Sequence, residues 1–521
     1  MPADPPRSDS GAHERRLATG SLAQPLTLAI GTLTMLGVVT LLARRLSLSE
    51  LGVYGLLISI PTYLLVAQSS VEVAAITRLA RASGQDDRDR VFTTAIVLYA
   101  GLGLLTGLLI VFGGGALLGV FHIARGLRAD ARLGLLCLGL INVVGWPAKT
   151  AQDVLRASHR FIASAVAEAA ALVAFATVMT TAVLLDAPLW AIAAIGGSLP
   201  LLIGLSAQVI VHASKAPYRL RPSLLSLPYA RAFLSASIYL LLSSVADLII
   251  YSLDRAVLGA YRPVATVGLY EGPVRAHNMV RQLQGTLVVA VMPAAAAYAA
   301  AGDRERLREL LIRGTRYVML ATLPLTVTSM VLAAPILHVW LGPRFAAAAT
   351  AMTILVSYWL VCAATGVGCS MLVAVGRVRL IAIYSGCVAA LSLALSLALT
   401  PPLGLDGVVL GTSIPAAACA PAILRVYCRS FDVPVAVFLR EALLPAYAAG
   451  VVLAAVQLLA GALLPIYQPG VLVGVIALSL AGYAAIVYRL WLRASERRLI
   501  RTVLSGIRRR RTLAQPVYRT P

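Results

Sequence analysis

A chain of 521 residues that is 59% hydrophobic and only 13% charged, with a mean hydropathy of +0.85, carries too little polar surface to face water on all sides. Soluble domains cover themselves with roughly a quarter charged residues, so a multidomain soluble architecture is excluded. The formal net charge of +22 would suit nucleic acid, but the charges sit at the ends of apolar runs, and that placement points to a bilayer.

About 20 polar residues, including Arg15 and Arg16, precede the first apolar run, which is of full spanning length, so no removable signal peptide is expected. A helix needs about 20 apolar residues to cross a bilayer. Fourteen such runs follow in order: 22–43, 51–73, 91–112, 133–148, 162–185, 189–211, 232–253, 264–293, 317–341, 346–375, 380–399, 406–427, 441–464 and 469–491. The fourth is short and the eighth is rich in polar residues, giving an expected 12–14 spans. The runs are continuous rather than alternating, which predicts helices and not barrel strands. The six cysteines, Cys137, Cys362, Cys369, Cys387, Cys419 and Cys428, lie in or beside these runs without CxxC spacing. They read as small hydrophobes, and no metal or cofactor is expected.

With the N-terminus inside and the runs alternating, the inner segments and adjoining span ends hold 34 arginines and lysines and the outer loops hold 8. That asymmetry is the positive-inside rule, and it predicts that both termini are cytoplasmic. The densest cluster, from Arg489 to Arg511, follows the last run. It reads as a topology anchor or as a contact with anionic lipid headgroups, each charge contributing about 1 kcal/mol near the surface.

Two short strings recur at nearly one offset. Gly52-Val53-Tyr54 and Gly268-Leu269-Tyr270 open the second and eighth runs, 216 residues apart. Leu155, Ala157 and Arg160 match Leu372, Ala374 and Arg377, 217 apart, after the fourth and tenth runs. Six runs separate each pair, so the copies point the same way, and a pseudo-two-fold axis along the membrane normal would relate them. A duplication is the favoured reading; the alternative is that Gly-Tyr and arginine recur at helix ends in any membrane protein. The expected all-α architecture is two six-helix bundles, 22–211 and 232–427, joined by a cytoplasmic linker at 212–231. Two further helices at 441–491 and cytoplasmic tails at 1–21 and 492–521 complete it.

These strings resemble a known family. "LARRLSLSELGVYGLL" (42–57), "SLDRAVLGAYRPVATVGLYEGPVR" (252–275), "VMPAAAAYAAAGDRERLRELLIRGTRY" (291–317), "WLGPRFAAAATAMTIL" (340–355) and "PLGLDGVVLGT" (402–412) occur in the expected order. Together they are similar to polysaccharide flippases of the multidrug/oligosaccharidyl-lipid/polysaccharide exporter superfamily. The resemblance implies a central cavity between the bundles, alternating access, and an undecaprenyl-diphosphate-linked oligosaccharide as substrate in a bacterial inner membrane. It also implies neighbours in the pathway, a polysaccharide polymerase and glycosyltransferases.

Charge at membrane depth costs about 2.5–3.5 kcal/mol per residue on insertion scales, which makes each such residue a functional candidate. The eighth run concentrates them. At 100° per residue, Glu271, Arg275, Asn278 and Gln282 form one stripe about 60° wide, and His277, Arg281 and Gln284 form another on the other side. A helix polar on two faces borders water on at least one. Arginine stays charged when dehydrated and presents a planar fork to phosphate oxygens, so Arg275 and Arg281 are candidate ligands for an anionic headgroup. Asn278, Gln282 and Gln284 would suit sugar hydroxyls. Pro273 is expected to bend or open the helix.

Other readings stand beside these. Glu271 and Arg275, four residues apart, can neutralise each other, and His277 reads as a packing residue. Asp247 either carries a coupling proton or pairs with an arginine of the eighth run, and Asp254 lies at the outer end of its span. Glu72 and Arg78 suit a cytoplasmic entrance or a solvated helix end equally well. Asp153, Arg156 and Glu168 are weaker candidates. No Walker-type phosphate loop, HExxH or GxSxG occurs, so no enzyme is expected. Two alternatives to a flippase remain: a cation-coupled drug exporter, which favours an acidic cavity, and a non-transporting envelope scaffold.

Overall fold

The computed structural model describes residues 27, 30–214, 218–235 and 238–491. The predicted tails at 1–21 and 492–521, with most of the basic cluster, lie outside the described residues. Among the described residues the regular structure is helical, apart from an isolated bridge between His122 and Pro263.

The first half contains α1 (30–45), α2 (Leu48–Arg81), α3 (Gln85–Val120), α4 (Arg125–Ala157), α5 (Phe161–Leu184) and α6 (Leu189–Gly197 with Leu199–Ala213, bent by 49°). The second contains α7 (Ile238–Ser252), α8 (Val264–Ala300), α9 (Arg304–Val331 with Ala333–Leu341, bent by 80°), α10 (Pro343–Ala374), α11 (Val378–Leu403) and α12 (Leu405–Ser430). α13 (Val435–Leu463) and α14 (Pro469–Arg489) follow. Nine of the described helices are long and apolar enough to cross a membrane, or eleven if each bent pair is one span. Those eleven coincide with eleven of the predicted runs, and the other three runs fall on α1, α2 and α7. The chain is an all-α, multi-pass membrane protein.

Local chemistry sets the helix ends. Ser47 caps α2, accepting from the Glu50 amide, while the Glu50 carboxylate accepts from the Ser47 amide. Asp303 caps α9 by accepting from the Arg306 amide at 3.0 Å. The helical stretch from Val264 to Val289 is continuous through Pro273, where a bend or opening is expected. Pro61, Pro147 and Pro324 likewise lie inside continuous helices.

Both repeated strings fold alike. After α4, the Arg160 amide donates to Leu155 O, with His159 at φ +54°; after α10, the Arg377 amide donates to Leu372 O, with Gly376 at φ +79°. Each is a Schellman-type helix stop. The glycine strings meet each other. A Cβ on Gly52 would stand 1.9 Å from Val264 O, and one on Gly268 would stand 2.1 Å from Leu48 O. The pairs Leu48/Val264 and Gly52/Gly268 share the 216-residue offset, so α2 and α8 cross backbone to backbone through equivalent residues. A two-fold relation between halves produces this reciprocity. Small residues permit it, as they do at close helix crossings in membranes.

The largest apolar core runs through both halves, from Val38 to Ala416, and a second links α9 and α10 to α13 and α14. Hydrogen bonds between halves concentrate at the end carrying residues 40–46 and 339–344. Arg44 donates to Val339 O at 2.9 Å and Trp340 O at 3.4 Å. Arg344 reciprocates, donating to Ala43 O and to Leu46 O. Trp340 Nε1 donates to Thr40 Oγ1 at 2.6 Å. Each arginine covers the carbonyls that the other half's helix leaves unpaired at its C-terminus. At the same end the His122 amide donates to Gly259 O and the Val264 amide to His122 O.

Candidate functional site

The site is built on α8, whose two polar stripes face different surroundings. On the first, Glu271 is only 2% exposed and is shared by two guanidinium groups. Arg255, from the short helix Asp254–Tyr261 between α7 and α8, holds it with contacts of 2.7 and 3.3 Å, whereas Arg275 reaches it at one point, 3.4 Å away. The pocket for this carboxylate exists because residue 55 on α2 is glycine: a Cβ there would lie 2.5 Å from Glu271 Oε1. Two cations around one carboxylate leave a positive charge over, and Arg275 Nε is buried with no hydrogen-bond partner among the described residues. The pairing of Glu271 with Arg275 is thus present but secondary to Arg255.

Below the triad, Arg275, Asn278 and Gln282 line a cavity of about 260 Å³. Its other walls come from the first half: Thr32 and Met35 of α1, Glu168 of α5 and Leu199 of α6. Thr32 Oγ1 donates to Gln282 Oε1 across the gap at 3.1 Å. The cavity therefore lies between the halves.

The second stripe turns into the second half. His277 is buried, its Nδ1 lies 3.1 Å from Leu355 O, and its ring packs against those of Tyr358 and Trp359. Arg281 is exposed and stacks over Tyr251, 4.5 Å from the ring centroid. Gln284 does not join the Arg275 cavity; its amide packs on Gly366 of α10, where a Cβ would lie 1.9 Å from Nε2. The helical period places it there, on the stripe of His277. The structure thus unites Arg275, Asn278 and Gln282 and separates Arg281 and Gln284 from them.

Asp247 is exposed, and Arg281 is within electrostatic reach of it. Asp254 is buried and accepts from Tyr270 at 2.7 Å and from Thr412 at 3.0 Å. Glu72 and Arg78 lie away from the inter-half cavity. Glu72 accepts from Lys149 and from Arg156 (2.6 Å), tying α2 to α4. Arg78 stacks on Tyr229 of the linker helix at 4.9 Å. Asp153 is buried beside them and accepts from Tyr99 at 2.8 Å.

Sequence reasoning gives Arg255 no role and underweights Glu168. The helix break before α8 hides Arg255, because periodicity does not carry across it. Glu168 is a lone carboxylate in an apolar run, which is the available signal. No candidate on α1 emerges, because Thr32 is an ordinary residue until the fold sets it against Gln282.

A family model described as polysaccharide biosynthesis protein matches residues 41–350. Comparison with curated protein sequences gives no match. Among solved structures, the lipid II flippase MurJ in an inward closed conformation is similar at a TM-score of 0.69 and 16% identity, covering 91% of this chain and 100% of that one. An inward-facing multidrug resistance MATE family transporter of the MOP superfamily gives 0.62 and 14%, covering 77% and 94%. The MATE multidrug transporter DinF-BH gives 0.54 and 18%, covering 83% and 100%. At these identities the likeness is one of fold.

Proposed function

This chain belongs to the polysaccharide biosynthesis protein family, and from that premise we propose that it is a flippase for an undecaprenyl-diphosphate-linked oligosaccharide in a bacterial inner membrane. The observation that carries this reading is Arg275: a guanidinium whose Nε has no partner among the described residues, on the wall of a cavity between two halves that are latched at one end. A diphosphate entering a low-dielectric cavity needs such a partner. Asn278 and Gln282 add neutral donors and acceptors, while a polyprenyl tail would remain in lipid. By the arginine asymmetry the latched end is the periplasmic one, both termini are cytoplasmic, and the cavity loads from the cytoplasm.

Arg281 and Asp247 are opposite charges in electrostatic reach of each other within the second half, and Asp254 is a buried carboxylate able to take part in coupling. Anionic lipid at the basic C-terminal tail, a polymerase and glycosyltransferases are the partners this pathway implies. One feature favours a cation-coupled drug exporter instead, the carboxylate of Glu168 on the cavity wall. The two arginines of α8 weigh against it.

Proteoliposomes test the reading. Wild-type protein should translocate a fluorescent undecaprenyl-diphosphate-linked sugar, and Arg275→Ala should lower the rate at least tenfold at equal protein content. Transport of cationic dyes, with no movement of the lipid-linked sugar, would establish the exporter reading instead.

A further inference from the structure

Arg275 borders a second cavity, of about 220 Å³, that lies inside the first half. Two of its lining side chains are more than nine-tenths buried and make no hydrogen bond among the described residues: Tyr54 of α2, 6% exposed, and Gln68 of α2, 5% exposed. Buried polar groups are nearly always paired, and each one that is not calls for an explanation. A phenol and a primary amide opening into one cavity supply donors and an acceptor with nothing to bind. Facing them are the apolar surfaces of Trp146 and Phe175, and Asn142, whose Oδ1 is occupied by Trp146 Nε1 at 3.1 Å.

We propose that this cavity is a subsite for the first sugar of the lipid-linked saccharide, with Tyr54 and Gln68 reading its hydroxyl groups. The inference rests on the flippase reading above and assigns the sugar a place distinct from that of the diphosphate. A pyranose ring has a hydroxyl rim and apolar C–H faces, which match a wall of amide and phenol against aromatic carbon. At ~30 Å³ per water, the cavity of about 220 Å³ has the room of roughly seven waters, enough for one sugar ring. Arg275 at the shared boundary puts the diphosphate next to the ring it carries, while the rest of the saccharide would remain between the halves.

Binding of two lipids to the full chain in nanodiscs tests this: undecaprenyl diphosphate bearing one sugar, and undecaprenyl diphosphate alone. Wild type should bind the first more tightly. Tyr54→Phe, which removes only a hydroxyl, and Gln68→Ala should each weaken binding of the sugar-bearing lipid about fivefold, one net hydrogen bond's worth, and leave binding of the bare diphosphate unchanged. Unchanged diphosphate binding also certifies that the variants are folded. Equal weakening for both lipids, or for neither, overturns the subsite. If wild type binds both lipids with one affinity, the subsite fails and the flippase reading stands; if it binds neither, both fall.

Discussion

Replacing Arg44 and Arg344 together with alanine should open the latched end. The two side chains make four guanidinium-to-carbonyl contacts across the halves: Arg44 to Val339 and Trp340, and Arg344 to Ala43 and Leu46. A buried charge-assisted hydrogen bond contributes about 1.5–3 kcal/mol. Both arginines are exposed, and competition from water reduces each contact to about 0.5–1 kcal/mol. The pair of latches then favours the closed end by about 2–4 kcal/mol, a factor of roughly 30 to 900. At the lower bound a 99:1 preference would fall to about 3:1. Spin labels at Arg45→Cys and Ala347→Cys, in a background without the six native cysteines, report the separation of α1 from the start of α10. The double variant should show a new, longer distance population without ligand. An unchanged distance distribution would refute the view that these arginines hold the halves together.

Three further perturbations follow from the packing. Gly268→Ala puts a methyl 2.1 Å from Leu48 O, an atom that moves only if the α2 backbone moves; it should lower stability by about 1–3 kcal/mol, read as a lower Tm in detergent. Gly55→Ala intrudes to 2.5 Å of Glu271 Oε1 and should displace that carboxylate from Arg255. Transport in proteoliposomes should drop sharply while the protein still inserts and purifies, and normal transport would argue against a need for the triad. Glu72→Gln leaves Lys149 and Arg156 facing a neutral amide in a partly buried site. Destabilisation of about 3 kcal/mol is expected, and Lys149→Met in the same chain should restore part of it, as a thermal melt of the single and double variants would show.

The helices were legible because bilayer thickness sets a minimum length for a span, and nearly every apolar run meets that length whatever its neighbours do. The two stripes of α8 were legible for a related reason: the helical period alone separates Arg275 from His277, and the structure keeps them on separate faces. What surrounds each stripe was not. Nothing in the sequence near Gly55 announces that Glu271, 216 positions later, will point at it. Whether Glu72 would face a solvated entrance or a pair of cations depended on Lys149 and Arg156, which reach it only once α4 has folded back along α2. Pro273 lies within a continuous helical stretch, as Pro61, Pro147 and Pro324 do in theirs, so a proline inside an apolar run does not by itself end a helix.

The crossing of Gly52 with Gly268 bears on how the central charge arrangement came to exist. Two identical chains meeting about a dyad would present the same residue at 55 and at its mate, 271. Glycine in both places would leave no anion for Arg255 and Arg275, and glutamate in both would drive two carboxylates into one space. Covalent fusion of the copies removes that constraint: one side can remain bare so that the other can reach across. A lone off-symmetry acid at the centre of a symmetric scaffold is open only to a protein whose duplicated segments mutate independently.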